Sequence, residues 1–240
     1  MDEKKQFLID RCNAEGIILS DEQCDKLLSY YEKVIETNKV MNLTAITDFK
    51  EFVIKHFVDS LMISKVVEMD KISTMLDVGT GAGFPGVPLK IAFPHIKVVL
   101  LDSLNKRLNF LNEVINSLEL KDICTIHARA EELQSKGEHR ESYDLVVSRA
   151  VASLPSLCEF CIPYVKTGGI FVSYKSKNAE EEIKSAKKAI NVLGGKIDKT
   201  SKFTLNNTDY ERCLVVIDKI KNTPAKYPRS GGKALKTPIV

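Results

Sequence analysis

Along the first seventy residues the apolar positions recur at intervals of three and four. In "SDEQCDKLLSYYEKVIE", Cys24, Leu27, Leu28, Tyr31, Val34 and Ile35 fall on one face, and Ser20 with Gln23 makes a capping box, so the spacing predicts an amphipathic helix. After the loop "NKVMNLTAITD", Thr47 is the predicted N-cap of a second helix from Asp48 to about Val67, whose Phe49, Phe52, Val53, His56, Phe57 and Leu61 share a face. From Ser73 the pattern changes: the β-rich runs "TMLDV", "KVVLLD", "ICTIH", "YDLVVS" and "GIFVSYK" alternate with helical segments near 85–93, 105–118, 154–164 and 178–190. Such alternation predicts a parallel sheet covered on both faces. Two more strand candidates, "KIDKTSKFTL" and "CLVVIDKI", have no helix between them and predict a closing antiparallel hairpin. The end, "NTPAKYPRSGGKALKTPIV", reads as a flexible tail. The predicted organisation is a helical extension (1–70), an α/β domain (71–220) and a basic tail (221–240).

Composition narrows this picture. With 240 residues and 44% hydrophobic side chains, the chain can bury an ordinary core in one domain plus an extension. No stretch approaches the roughly 18 apolar residues of a membrane helix, and the charged start lacks a signal peptide's apolar centre, so a cytoplasmic location is expected. Six cysteines scattered through predicted helices and strands read as buried, reduced thiols. Cys158 and Cys161 form a lone C-x-x-C without a second pair or histidines at ligand spacing, so core packing is expected of them and no metal site. The net charge of +3 is uneven: Lys219, Lys221, Lys226, Arg229, Lys233 and Lys236 lie in the last 22 residues without an acid, leaving the rest net acidic. Residues 1–70 hold nine Lys/Arg against fourteen Asp/Glu, which argues against the N-terminal segment as the main anchor for a polyanion.

"DVGTGAGFPGVPL" (77–89) is the candidate ligand loop. Asp77 closes a strand, Gly79, Gly81 and Gly83 let the backbone bend and approach a ligand without a Cβ, and Pro85 suits the first position of the next helix. "GAGFPG" also satisfies G-x-G-x-x-G, and Asp102 ends the second strand about twenty residues on, so a dinucleotide oxidoreductase is one reading. Three features favour S-adenosylmethionine. Asp77 makes D-x-G-x-G-x-G and puts a carboxylate where a sulfonium with a free amino group is better served than a pyrophosphate. Some seventy helical residues precede the loop, and the closing hairpin is the usual ending of a class I methyltransferase sheet. Asp102 is then the candidate for the ribose diol, with a solvated helix cap as the alternative. Ala130 and Glu131 in "ARAEEL" are candidates for reading the adenine edge, or a plain helix start.

Class I enzymes commonly keep chemistry at the end of the fourth strand, here "VVSRAVASL". An exocyclic amino methylase wants Asp or Asn followed by Pro-Pro and an aromatic, a pyrimidine C5 methylase a Pro-Cys or Thr-Cys nucleophile, and a ribose methylase a carboxylate where this chain has Arg149. None of these is present. An acceptor that is already nucleophilic remains, and guanine N7 fits, because its lone pair carries no proton at neutral pH and needs alignment more than acid–base help.

"MNLTAITD" (41–48), "KHFVDSL" (55–61), "DVGTGAGFPGVPLKI" (77–91), "LLDSLNKRLNFL" (100–111), "RAEE" (129–132), "SRAVASL" (148–154) and "YPRSGGKALKTPI" (227–239) occur in the order and spacing of one family. Over nearly its whole length the chain resembles the bacterial 16S ribosomal RNA guanine-N7 methyltransferases, also called glucose-inhibited division protein B. The resemblance implies an α/β, class I S-adenosylmethionine-dependent methyltransferase fold (a Rossmann-like, mostly parallel sheet with a terminal antiparallel hairpin plus an N-terminal helical extension). It also implies methylation of N7 of guanine 527, in ribosomal RNA numbering, in the decoding region. Carried onto this sequence, Gly79, Gly81, Phe84, Asp102, Ala130, Glu131 and Arg149 are expected at the cofactor, with Arg149 on either the methionine carboxylate or a substrate phosphate. Candidates for RNA contact are His56, Arg229 and Lys236, a packed structural role being the alternative for His56. No catalytic base is assigned. Asp59 is expected to pair with Lys55 at i, i+4. The tail departs from the family pattern at Ala234, where proline is usual, and at Ser230, where a basic residue is usual. The partner implied is 16S rRNA or the small-subunit ribonucleoprotein, with a monomeric chain and neither DNA nor membrane as partner.

Overall fold

Strands β1 (Thr74–Val78), β2 (Lys97–Asp102), β3 (Ile123–His127), β4 (Tyr143–Arg149) and β5 (Val165–Ser176) run parallel, and β6 (Gly195–Thr204) with β7 (Glu211–Lys219) forms the antiparallel hairpin. They make one sheet of order β3-β2-β1-β4-β5-β7-β6 in a computed structural model that describes residues 3–136, 138–176 and 179–240. β1 is central, and its flanking crossovers leave in opposite directions, to β2 on one side and β4 on the other. That reversal opens a crevice at the carboxyl ends of β1, β2 and β4, the usual ligand position in an open α/β sheet. No helix among the described residues is long and apolar enough to cross a membrane.

The helices cover the sheet in two layers, each with its own core. On one face, α1 (Glu3–Ala14) and α2 (Asp21–Asn38) pack with α5 (Gly86–Ala92) and α6 (Asn105–Ser117), so Leu8, Leu27, Tyr30 and Phe57 share a core with Val87, Leu111 and Val147. On the other, α7 (Leu154–Cys161) and α8 (Ala179–Val192) bury Leu157, Cys161, Ala186 and Ile190 against Leu76, Val146 and Phe171. Asn178, the first residue of the predicted α8 segment, lies outside the described residues. The capping box at α2 is present, with Gln23 N donating to Ser20 Oγ at 3.2 Å and Ser20 N to Gln23 Oε1 at 2.8 Å.

Four sequence expectations shift. The second helix is capped by Asp48, not Thr47: its carboxylate accepts from Glu51 N at 2.9 Å, and a charged acceptor suits a helix N-terminus better than a hydroxyl. That helix changes register as it runs, from α3 (Phe49–Phe52) through a π segment (Val53–Val58) and α4 (Asp59–Leu61) into a 3₁₀ turn (Met62–Lys65). Cys124 is exposed because β3 is a sheet edge; the other five cysteines, Cys158 and Cys161 among them, are buried. The carboxyl-terminal segment is docked rather than flexible. Tyr227 and Ala234 are buried in the core under α7, Ser156 Oγ donates to Ala234 O at 2.8 Å, and α9 (Lys233–Lys236) forms its last turn.

Candidate functional site

The crevice is an open cavity of about 630 Å³, lined by Leu43, His56, Val78 to Ala82, Phe84, Leu101 to Ser103, Arg107, Ala128 to Glu131, Arg149 to Val151, Phe160 and Leu235. Its floor is the glycine loop. Gly79 N and Thr80 N both donate to Leu101 O, at 2.8 and 3.0 Å, pinning the loop onto the neighbouring strand. Gly79 has φ +71°, and a Cβ there would come within 2.4 Å of Val151 Cγ2, so this glycine lets the β1 and β4 ends close on each other. Gly83 serves packing, not a ligand: at φ +103° its missing Cβ makes room for the Tyr30 hydroxyl, which donates to Ala82 O. Pro85 is the residue that caps α5 rather than its first helical residue, and the Phe84–Pro85 peptide is cis.

The two aspartates of this floor divide their work. Asp77 is fully buried beneath the loop and does not line the cavity; its Oδ2 accepts from Thr80 Oγ1 at 2.7 Å and Gly86 N at 2.9 Å, while Oδ1 has no hydrogen-bond partner among the described residues. Burial pushes its carboxyl up to about 6 against the pull of those two hydrogen bonds and of Arg149. Asp102 does line the cavity. It accepts Gly81 N on one oxygen and Leu104 N on the other, both at 2.9 Å, and Arg107 Nη1 stands 3.6 Å away. A carboxylate offers about four acceptor directions, so Asp102 keeps capacity for a diol after fixing the loop. Ala130 and Glu131 border the cavity past β3, where the Ala130 carbonyl accepts from the Tyr164 hydroxyl.

The opposite wall is built by side chains from three distant parts of the chain. Arg149, at the end of β4, donates through Nη1 to Asp59 Oδ2 at 2.8 Å and to the Lys55 carbonyl at 3.1 Å; its Nη2 meets His56 Nδ1 at 3.1 Å. An arginine can only donate, so His56 Nδ1 is an acceptor and Nε2 carries the hydrogen, which Nε2 gives to Thr44 Oγ1 at 2.9 Å. The imidazole stacks on Phe84 with ring centres 4.4 Å apart and planes 12° apart. Burial first, then the cations Arg149, Lys55 and Arg212, drive His56 down to about 3, so it is neutral throughout the physiological range. The π segment places this group, a common position for such irregularity: within it the Lys55 and His56 carbonyls accept from Arg149 Nη1 and Ser60 Oγ.

Residues 23–212 match the model of the GidB family, described as rRNA small subunit methyltransferase G. The chain belongs to this family. It is 53% identical to the ribosomal RNA small subunit methyltransferase G of Lachnoclostridium phytofermentans over 94% of this chain and 93% of the relative. It is 51% identical to that of Acetivibrio thermocellus over the whole of both. Among solved structures, a predicted O-methyltransferase of Agrobacterium tumefaciens matches 69% of this chain and 82% of its own, with a TM-score of 0.56 at 17% identity. Methanococcus jannaschii fibrillarin matches 65% and 70%, with 0.51 at 18%. These likenesses show the class I S-adenosylmethionine-dependent methyltransferase fold.

In this GidB-family enzyme the cavity gathers Gly79, Gly81, Phe84, Asp102, Ala130, Glu131, Arg149 and His56. It does not gather Arg229, whose guanidinium is paired with the buried Glu159, nor Lys236, which is exposed on α9. Asp59 does not pair with Lys55. Lys55 turns back to Glu51 at 2.9 Å, and Asp59 takes Arg149 and, at 3.0 Å, Arg212 Nε instead, so this buried carboxylate is paired with two guanidinium groups. Thr44, Asp59, Arg212, Glu159 and Leu235 were missed as site residues. Thr44, Asp59 and Leu235 stand in segments already marked by their resemblance; nothing local in the sequence marks Arg212 or Glu159.

Proposed function

We propose that this enzyme transfers the methyl group of S-adenosylmethionine to N7 of guanine 527 of 16S rRNA. The cavity suits the cofactor: an open glycine floor, a buried and half-satisfied Asp77 beneath it, and carboxylates at Asp102 and Glu131 for a ligand rich in donors. Asp102 would hold the ribose hydroxyls, Ala130 and Glu131 the adenine edge, and the remaining N–H groups of Arg149 the methionine carboxylate. S-adenosylmethionine supplies an electrophilic methyl on a cationic sulfur, which the purine N7 lone pair accepts without releasing a proton.

The observation that carries this reading is the state of His56. It is the one histidine lining the cavity among the described residues, and both its nitrogens are committed, one accepting from Arg149 and the other donating to Thr44. The wall therefore offers alignment and charge but no free base, which fits an acceptor that has no proton to lose. Phe84 stacks on His56 and lies 5.2 Å from the Arg149 guanidinium carbon, so one ring packs against both groups of that wall. The small-subunit RNA enters from the family: relatives that share about half of their residues over the full length are named for it.

The experiment is tritiated methyl transfer to small subunits, and to stripped RNA, from cells lacking this protein, followed by mapping of N7-methylguanine. One labelled guanine in the decoding-region loop is the expected result. Label at another base, or on a ribose, would remove the proposal and leave the family assignment standing.

A further inference from the structure

We infer that Leu235 of the carboxyl-terminal segment is a wall of the cofactor cavity, covering its purine end, and that the Glu159–Arg229 pair is the positioning element that holds it there. The inference rests on the cavity being the S-adenosylmethionine site.

Two independent features lead to it. First, the segment is fastened at points where release would be costly. Glu159, on α7, has no exposed surface, and among the described residues its carboxylate accepts from Arg229 alone: backbone N at 2.7 Å, Nε at 2.8 Å and Nη2 at 2.7 Å. Undocking would strip that carboxylate of these hydrogen bonds. Arg229 Nη2 also donates to Thr237 O at 2.9 Å, closing the chain around Leu235, and the adjacent Ala234 is buried. Second, what this anchoring presents is an exposed leucine facing a ligand cavity. Leu235 is 58% exposed and Val151 42% exposed, and both line the same cavity, although apolar side chains left in water there gain nothing without a partner.

The place of Leu235 along the cavity follows from α7. Ser156 holds the Ala234 carbonyl, Phe160 one turn further along α7 lines the cavity, and Tyr164 just beyond α7 donates to the Ala130 carbonyl. Leu235, Phe160 and Ala130 thus belong to one wall, the wall already assigned to adenine. A flat purine buries well against aliphatic and aromatic side chains, whereas the methionine end meets Arg149 across the cavity.

Calorimetric titration with S-adenosylhomocysteine tests this without turnover. Leu235→Ala should weaken binding about fivefold and Leu235→Met should stay within about twofold of the unaltered chain. Arg229→Met, which frees the segment, should reproduce the loss, Arg229→Lys should recover part of it, and Ile220→Ala, an exposed apolar residue away from the cavity, should change nothing. 5′-Methylthioadenosine, which lacks the amino-acid end, should show the same Leu235→Ala loss; a loss confined to S-adenosylhomocysteine would overturn the purine assignment. Unchanged affinity in Leu235→Ala, with normal binding by the unaltered chain, would overturn this inference alone. No binding by the unaltered chain would overturn the cofactor reading and this inference with it.

Discussion

Asp59 and Glu159 are both carboxylates with almost no exposed surface, and each draws an arginine from a distant part of the chain. Asp59 sits in the amino-terminal helical segment and takes Arg149 from β4 and Arg212 from β7; Glu159 sits on α7 and takes Arg229 from the carboxyl-terminal segment. The difference lies in what the arginine still has to give. Arg149 lines the cavity and holds His56, so the Asp59 cluster presents a cation to the cavity. Arg229 is occupied by Glu159 and Thr237, so the second pair is a fastening. A basic residue counted in the sequence thus faces the cavity or fastens the fold according to the acid it meets. Lys219 makes the same point: counted with the basic tail, it is buried and bonded to Ile162 O and Glu141 Oε1, at 3.0 and 3.1 Å.

The harshest way to break the comparison is Asp59→Ala, which leaves two arginines facing each other without their shared acceptor. Removing one partner of a buried pair typically costs about 3–5 kcal/mol, and a urea midpoint shift of that size with loss of methyl transfer is expected. A stable Asp59→Ala chain with full activity would mean that the arginines hold themselves. Glu159→Gln comes next. Arg229 keeps a neutral acceptor and is already partly solvated, so about 1–3 kcal/mol is expected, together with faster proteolytic clipping after Pro228. If clipping does not change, the segment is held by Ala234 and Tyr227 and not by charge.

A pH series separates the two clusters further, because only the first contains a titrating ring. An unfolded chain takes up a proton on His56 near 6.5, whereas the folded chain refuses it until about 3. The unfolded state therefore binds more protons in that window, and the stability tied to neutral His56 is full above pH 6.5 and lost as the pH falls. Asp77 acts in the opposite sense: its folded carboxyl is protonated near 6 against 3.8, so acidification through that range favours the folded form. Comparing His56→Gln with the unaltered chain cancels Asp77. The variant should gain stability relative to the unaltered chain as the pH drops from about 7.5 to about 5; parallel curves would show that the ring protonates freely in the fold.

Much of this was legible in the sequence, and the reasons differ by region. The sheet could be read because strand burial alternates with turn chemistry over short spans, and β1, β2 and β3 end where "TMLDV", "KVVLLD" and "ICTIH" end. The glycine loop was legible because a positive φ at Gly79 and Gly81 leaves a residue-type signature. The arginine partners were not. Arg149 and Asp59 are 90 residues apart and Arg229 and Glu159 70 apart, and nothing local tells which acid meets which base. Short-range habit instead suggested Lys55 for Asp59, and the resemblance suggested RNA for Arg229. The tail misled for a related reason: Pro, Gly and Lys composition predicts flexibility, but one buried carboxylate on α7 outweighs the composition of the segment that must satisfy it.

The smallest effect is also the sharpest on whether the tail touches RNA. With Lys219 and Arg229 paired to Glu141 and Glu159, the exposed cations left in the segment are Lys221, Lys226, Lys233 and Lys236. A side chain that meets a phosphate releases counterions, and its removal lowers the slope of log affinity against log salt by ~0.7–0.9. Lys236→Ala should therefore flatten the salt dependence of small-subunit RNA binding by about one contact, while Arg229→Lys, whose charge stays on Glu159, should leave the slope unchanged. The reverse pattern would mean that Arg229 leaves Glu159 when RNA arrives, which would turn the fastening into a switch and erase the contrast between the two carboxylates.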